Sequence, residues 1–181
     1  MTDSELISFY LKGDLRAFER FYDRHKDSLY TYLINRKPQQ AEDYFQETFL
    51  RFLNVVGTRK IEQPAAYLFR IAVNLVRDDM RRTEPRIISL SYDMPEEKEA
   101  EPEPFDEQQL QLSLVRLSQD KPAFYDVLHL HVYERMTFDE ISAITGENRN
   151  TVASRYRYAL KYLRDVLKII PARVKIGENH V

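Results

Sequence analysis

Residues 137–165 read TFDEISAITGENRNTVASRYRYALKYLRD, and the fold is decided in this stretch. Thr137 followed three residues later by Glu140 is a capping box, in which each partner satisfies a backbone N–H that a helix start leaves free. The helix it opens carries Ile141, Ser142 and Ile144 inward, and Ser142 is small enough for a close helix crossing. Gly146 lies four residues after Ser142, where the turn requires an unhindered backbone. Asn148 suits the N-cap of the next helix, and Val152 points back into the first helix and fixes the crossing. A small residue, a glycine and an aliphatic at these offsets form a helix-turn-helix.

The second helix of the pair is basic: Arg149, Arg155, Arg157, Lys161, Arg164 and Lys168 stand against Asp165. Its first turns present Arg149, Asn150, Thr151, Ser154 and Arg155, side chains that contact base edges or phosphates. A charged helix face is by itself only a solvated face. The turn chemistry in front of it is what points to DNA.

Working back from this motif, helices are expected at about 109–118, 122–133, 137–145 and 149–170. Upstream of them, residues 83–109 hold nine acidic residues against Arg86 and Lys98, so the segment carries −7 while the whole chain carries −2. The remainder is therefore +5, and a mildly acidic chain contains two basic halves. Low hydrophobicity, high charge and Pro95, Pro102 and Pro104 predict a flexible linker, because such a segment cannot repay ordering entropy by burial.

Before the linker the pattern is again helical. Phe18, Phe21, Tyr22, His25, Leu29, Tyr32 and Leu33 recur at helical spacing, and Pro38 ends that run. Ala41, Tyr44, Phe45, Thr48, Phe49, Phe52, Leu53 and Val56 form one apolar stripe, with Gly57 placed to end the helix in the left-handed region. Its outer face shows Asp43, Gln46, Glu47 and Leu50, a polar stripe ending in an exposed aliphatic that suits a partner helix. Pro64 suits the first turn of a third helix, which buries Leu68, Ile71, Ala72 and Leu75. That helix displays Arg70, Asn74, Arg77 and Arg81 on one face, the pattern of a phosphate track. A short helix near Glu5–Leu11 completes the bundle.

The expected fold class is all-α: an N-terminal helical bundle, a flexible acidic linker and a C-terminal four-helix domain with the helix-turn-helix. The boundaries are 1–84, 85–108 and 109–170, with a frayed tail at 171–181. Hydrophobic residues at 43% permit a packed core, and 4 Gly argue against a turn-rich sheet protein. The chain has no Cys, which excludes disulfides, thiolate zinc sites and cysteine nucleophiles and suits a cytoplasmic protein. No apolar run is long enough for membrane insertion, and the polar start is not a secretory signal. His129 and His131 in HLHVYE diverge around a helix and have no third ligand near, so no metal and no cofactor are expected. No nucleophile–base pair or phosphate loop appears, so no catalytic residue is assigned and an enzyme is not expected.

Three stretches in order, AEDYFQETFLRFL at 41–53, PAAYLFRIAVNLVRDDMRR at 64–82 and TFDEISAITGENRNTVASRYRYALKYLR at 137–164, resemble the extracytoplasmic-function (ECF) class of the sigma-70 family. The likeness covers about 15–82 and 110–168. It implies a transcription initiation factor whose partners are core RNA polymerase and promoter DNA; an anti-sigma factor is a further candidate partner whose existence the sequence does not reveal. Under it, Asp43, Gln46, Glu47 and Leu50 bind the polymerase clamp helices. Arg70, Asn74, Arg77 and Arg81 act on the −10 element, with the loop at 59–63 accommodating an unstacked base. Arg149, Asn150, Thr151, Ser154 and Arg155 read the −35 element in the major groove. The sequence departs from the family where tryptophans are frequent, with Phe52 and Tyr67 in their places, and where Ala153 stands for a frequent lysine. A DNA-binding regulator that works without polymerase is the rival reading. It has no need of the acidic face at Asp43, Gln46 and Glu47.

Overall fold

The computed structural model describes residues 1–83 and 107–169. Among them the regular structure is entirely helical: α1 (Asp3–Leu11), α2 (Leu15–Arg36), α3 (Ala41–Val56), α4 (Pro64–Thr83), α5 (Glu107–Asp120), α6 (Pro122–Val132), α7 (Phe138–Thr145) and α8 (Arg149–Ile169). Most of the segment read as a linker, and the tail at 171–181, lie outside the described residues.

Local chemistry explains the helix starts. Thr2 accepts from the Glu5 N–H while the Glu5 carboxylate accepts from the Thr2 N–H, so α1 opens on a second capping box that the sequence reading passed over. Asp14 caps α2 through the Arg16 N–H, and a proline opens both α4 and α6, where its missing N–H costs nothing. Gly57 does not take up the left-handed conformation expected of it. Its φ is −74°, and the end of α3 is closed instead by Thr58, whose N–H and hydroxyl both donate to the Val55 carbonyl.

Helices α1–α4 form one bundle, with α2 central among α1, α3 and α4. Phe21 of α2 lies flat against Phe52 of α3, ring centroids 5.1 Å apart, with Phe18, Tyr22, Phe45 and Phe49 extending the aromatic layer. Fully burying a Phe side chain of this kind is worth about 2–3 kcal/mol, and Phe21 and Phe52 have no solvent exposure. The buried residues of α4 are Leu68, Phe69, Ala72, Val73 and Val76, while Ile71 and Leu75 are only half-buried. The inward face of α4 is thus rotated from the expected one.

Helices α5–α8 form the second bundle, in which α8 packs across α5, α6 and α7. The two bundles also pack on each other, α2 against α5 and α4 against α7. Tyr32 of α2 stacks on Tyr125 of α6 at 6.1 Å, and Phe69 of α4 meets His129 of α6. No helix among the described residues is long and apolar enough to cross a membrane.

Candidate nucleic-acid interface

The helix-turn-helix forms from the residues expected to form it. Thr137 and Glu140 cap α7 reciprocally, the Glu140 carboxylate accepting from the Thr137 N–H at 2.7 Å. Gly146 ends α7 at φ 72°, and its N–H donates to the Ser142 carbonyl. A side chain at this position would meet no neighbouring atom, so the turn needs glycine for its backbone conformation and not for space. Ser142 does more than allow a close crossing: its hydroxyl donates to the Glu147 carbonyl and braces the turn. Asn148 then accepts from the Thr151 N–H at 2.8 Å and starts α8, and Val152 is fully buried with Ile141 and close to Ile144 in burial.

This frame leaves Arg149 and Asn150 exposed and Thr151, Ser154 and Arg155 partly so. The two arginines are held differently. Arg149 lies 3.4 Å from Asp139 with side chains 61% and 76% exposed, a contact that solvent screens to little. Arg155 pairs with Glu147 at 3.0 Å with exposures of 19% and 34%, so it is fixed against the turn.

On α4, Arg70, Asn74 and Arg81 lie on an open face, and Arg81 is only loosely paired with Asp78 at 3.6 Å. Arg77 departs from the row. Its side chain is 22% exposed, it donates to the Thr145 carbonyl of α7 at 2.7 Å, and its Nε is 3.6 Å from the Asp126 carboxylate of α6. The loop before α4 is ordered by Arg59, which donates to the Tyr67 hydroxyl and lies over the Tyr67 ring. Between this loop and α7 is a cleft of about 320 Å³ lined by Arg59, Lys60, Tyr67, Arg70, Glu140 and Ala143.

On α3, Asp43 and Gln46 are exposed, and Leu50 stands 58% exposed among them. Glu47 accepts from Arg51 one turn on, and Gln46 donates to Glu42. The opposite side of the helix buries Ala41, Thr48, Phe49, Phe52 and Val56, so this outer face can be altered without touching the core.

The sequence reading missed a polar seam between the bundles. Asp126, 1% exposed, accepts from the Tyr32 hydroxyl and from Arg36 Nε, both at 2.9 Å. Burial lowers the Arg36 pKa, but the Asp126 charge overcomes it and raises the guanidinium above its ordinary range. Beside this pair Asn35 donates to the Tyr125 hydroxyl, which sits 3.3 Å from His129 Nδ1, and His129 Nε2 is 3.1 Å from the Ser28 hydroxyl. Ser28 donates to Glu134, which also faces His25, and His25 reaches Asp3 at 2.9 Å. Burial pulls both histidines down. At His25 the bonds and charges of Asp3 and Glu134 outweigh it and raise the pKa to about 9, whereas His129 falls to about 4 and stays neutral. As a neutral ring, His129 donates from Nε2 to Ser28 and accepts at Nδ1 from Tyr125, which satisfies every member of the chain. The signal was present in the sequence: His25, Tyr32 and Arg36 fall on the buried stripe of α2, and Asp126 interrupts an apolar run.

Among the described residues no three His, Cys, Asp or Glu side chains are grouped to hold a metal ion. His129 is a core residue, and His131 sits 2.7 Å from the Met136 carbonyl and packs against Phe138 and Tyr156.

Comparison with known proteins places these features in a family context. The model of sigma-70 region 2 matches residues 18–86. The ECF RNA polymerase sigma factor BldN of Streptomyces coelicolor is 28% identical over 171 residues, 90% of this chain and 65% of that protein. SigE of Mycolicibacterium smegmatis is 29% identical over 169 residues, 88% of this chain and 66% of that protein. The chain thus spans just under two thirds of the length of these relatives. SigW of Bacillus subtilis is 35% identical over 77 residues, 41% of each chain. Two solved structures share the fold. The sigma factor RpoE in complex with the anti-sigma factor NepR from Bartonella quintana has a TM-score of 0.64 at 20% identity, covering 87% of this chain and 100% of that one. CnrH in complex with the cytosolic domain of CnrY has a TM-score of 0.62 at 21% identity, covering 93% and 99%.

Proposed function

We propose that the chain is a member of the ECF class of the sigma-70 family and, as such, a transcription initiation factor that binds core RNA polymerase and directs it to promoters. In this reading the outer face of α3, with Asp43, Gln46, Glu47 and Leu50, binds the polymerase. Arg70, Asn74, Arg77 and Arg81 of α4 act at the −10 element, and Arg149, Asn150, Thr151, Ser154 and Arg155 at the −35 element. In this reading residues 1–84 and 109–170 serve as the modules for the two DNA elements, which they must reach at once.

The observation that carries the reading is the exposed Leu50 set among carboxylates on α3, with a basic face on the next helix and a capped helix-turn-helix further along. An apolar side chain left 58% exposed beside acids suits a surface that docks on a basic partner helix. An anti-sigma protein is a further candidate partner, since RpoE and CnrH, which share the fold, are each complexed with a second protein, in RpoE's case an anti-sigma factor. The test is co-purification with core polymerase followed by promoter-dependent transcription in vitro. A chain that binds duplex DNA but does not associate with core polymerase is a regulator of another kind.

A further inference from the structure

Residues 57–63 carry the chain from α3 to α4, and both ends of that crossing are fixed locally. At its start the Thr58 and Arg59 N–H groups donate to the Val55 carbonyl, and the Arg59 guanidinium is held on Tyr67. At its end Pro64 restricts the backbone of Gln63, whose carbonyl accepts from the Tyr67 N–H. Between them lie Lys60, Ile61 and Glu62, which line the cleft beside α7. Among the described residues the backbone of this span takes part in a single hydrogen bond: the Ser4 hydroxyl of α1 donates to the Glu62 carbonyl at 2.7 Å. Gln63 reaches Glu140 through its side chain, which leaves the span itself untouched. Ser4 is the second residue of α1, where no carbonyl of the same helix lies one turn back to take its hydroxyl. Its neighbours are anchored. Thr2 and Glu5 form the capping box, Asp3 accepts from Arg24 at 2.5 Å and sits 2.9 Å from His25, and Arg24 also donates to the Met1 carbonyl. The Ser4 hydroxyl is thus referenced to α2 before it meets the loop.

We infer that Ser4 is a positioning residue for the −10 element, its hydroxyl holding residues 60–62 in the conformation that receives an unstacked base. The inference rests on the reading of the 59–63 loop and α4 as the −10 surface. A short span with no internal hydrogen bond samples many backbone states, and the ordering of those states is charged against binding. A single bond at Glu62 removes part of that cost in advance. Ser4 is exposed and water competes for its hydroxyl, so the bond biases the loop by about two- to tenfold and does not lock it. For the same reason its loss leaves no buried group without a partner, and the fold is indifferent to it. Ser4 touches no DNA in this scheme and acts through the loop alone.

The test uses the full chain with core polymerase on a promoter pool randomised at both elements, with transcripts counted for each template. Ser4→Ala should flatten the base preference at −10 by about two- to tenfold and leave the preference at −35 unchanged. Its thermal transition should stay within a few degrees of wild type. Ser4→Thr, which keeps a hydroxyl, should restore the −10 preference. An unchanged −10 preference in Ser4→Ala, an equal loss at both elements, or a Ser4→Thr chain that behaves as Ser4→Ala overturns the inference. A parallel chain carrying Lys60→Ala, Ile61→Ala and Glu62→Ala together tests the loop. If it discriminates at −10 as wild type does, the reading of the loop falls and the inference with it. If it loses discrimination while Ser4→Ala keeps it, the loop stands and only the inference falls. A wild-type chain that yields no transcripts overturns the reading on which both rest.

Discussion

Replacing Arg149 and Arg155 by alanine, one at a time, separates two ways in which a recognition helix uses arginine. Arg149 is 61% exposed and its pairing with Asp139 is screened by water, so its loss should change the stability of the free protein by no more than about 0.5 kcal/mol. If Arg149 makes a bidentate contact to a base, Arg149→Ala costs about 1–3 kcal/mol on the preferred duplex, roughly five- to 150-fold in affinity, and relaxes specificity at that base pair. Arg155 is 19% exposed against Glu147, so Arg155→Ala also frees a carboxylate beside the turn. It should lower stability measurably and weaken every duplex, because the freed Glu147 repels phosphates whatever the sequence. The assay is titration of a duplex selected from a random pool and of its scrambled form, each at two salt concentrations, with urea unfolding of both variants alongside. Equal weakening of the two duplexes by Arg149→Ala would mean that Arg149 only positions the helix, and base readout would fall to Asn150, Thr151 or Ser154. If none of the five residues matters, the recognition helix is misplaced.

Charge reversal at Asp43 and Glu47 should abolish co-purification with core polymerase while leaving the thermal transition within a few degrees of wild type, since both residues lie opposite the buried Phe49 and Phe52. Wild-type yield of the complex would refute the role given to this face. Gly146→Ala should destabilise the chain by about 1–2 kcal/mol, the cost of a left-handed backbone for an L-residue, with no added clash. An unchanged urea midpoint would show that the turn relaxes out of that conformation. For His25 the folded pKa of about 9 lies above the ordinary value of 6.5, so its contribution is complete below pH 6.5 and is lost as pH rises through 9. The groups facing it are Asp3 of α1 and Glu134 of the α6–α7 turn, with Arg24 bound to the same Asp3. The fall in unfolding free energy between pH 7.5 and 10 should therefore be larger in wild type than in His25→Gln, and parallel curves would refute the linkage.

Much of the helical framework was legible in the sequence because it depends on local chemistry. The capping box at Thr137, the N-cap at Asn148 and the left-handed Gly146 each act within a few residues, and each appears as the sequence requires. Errors arose where local rules had rivals. At Gly57 the following Thr58 supplies a hydroxyl for the Val55 carbonyl, so the helix closes without a left-handed residue. At α4 a single stripe was assumed, but the helix packs on α2 and α3 and also meets His129 of α6 through Phe69. Burial from two sides widens and turns the inward face, and periodicity within one helix cannot reveal the second neighbour.

The candidate surfaces were legible to the same depth and no further. Spacing aligned Arg70, Asn74, Arg77 and Arg81 along α4, because helical geometry alone determines which residues share a face. It did not show that Arg77 would turn away, since its partners Asp126 and Thr145 lie 49 and 68 residues on. What the sequence did hold was a mismatch: charged or titratable residues at positions 25, 36 and 126, where the helical pattern demanded apolar ones. A buried charge is tolerated only with a partner, so each of these positions calls for one, but the sequence does not say which residue supplies it. The structure supplies the partner: Arg36 pairs with Asp126 across the interface, and the Tyr32 hydroxyl one turn from Arg36 is the third member. The residues that break the apolar pattern are thus the ones that join the two bundles, and they bring Arg77 with them.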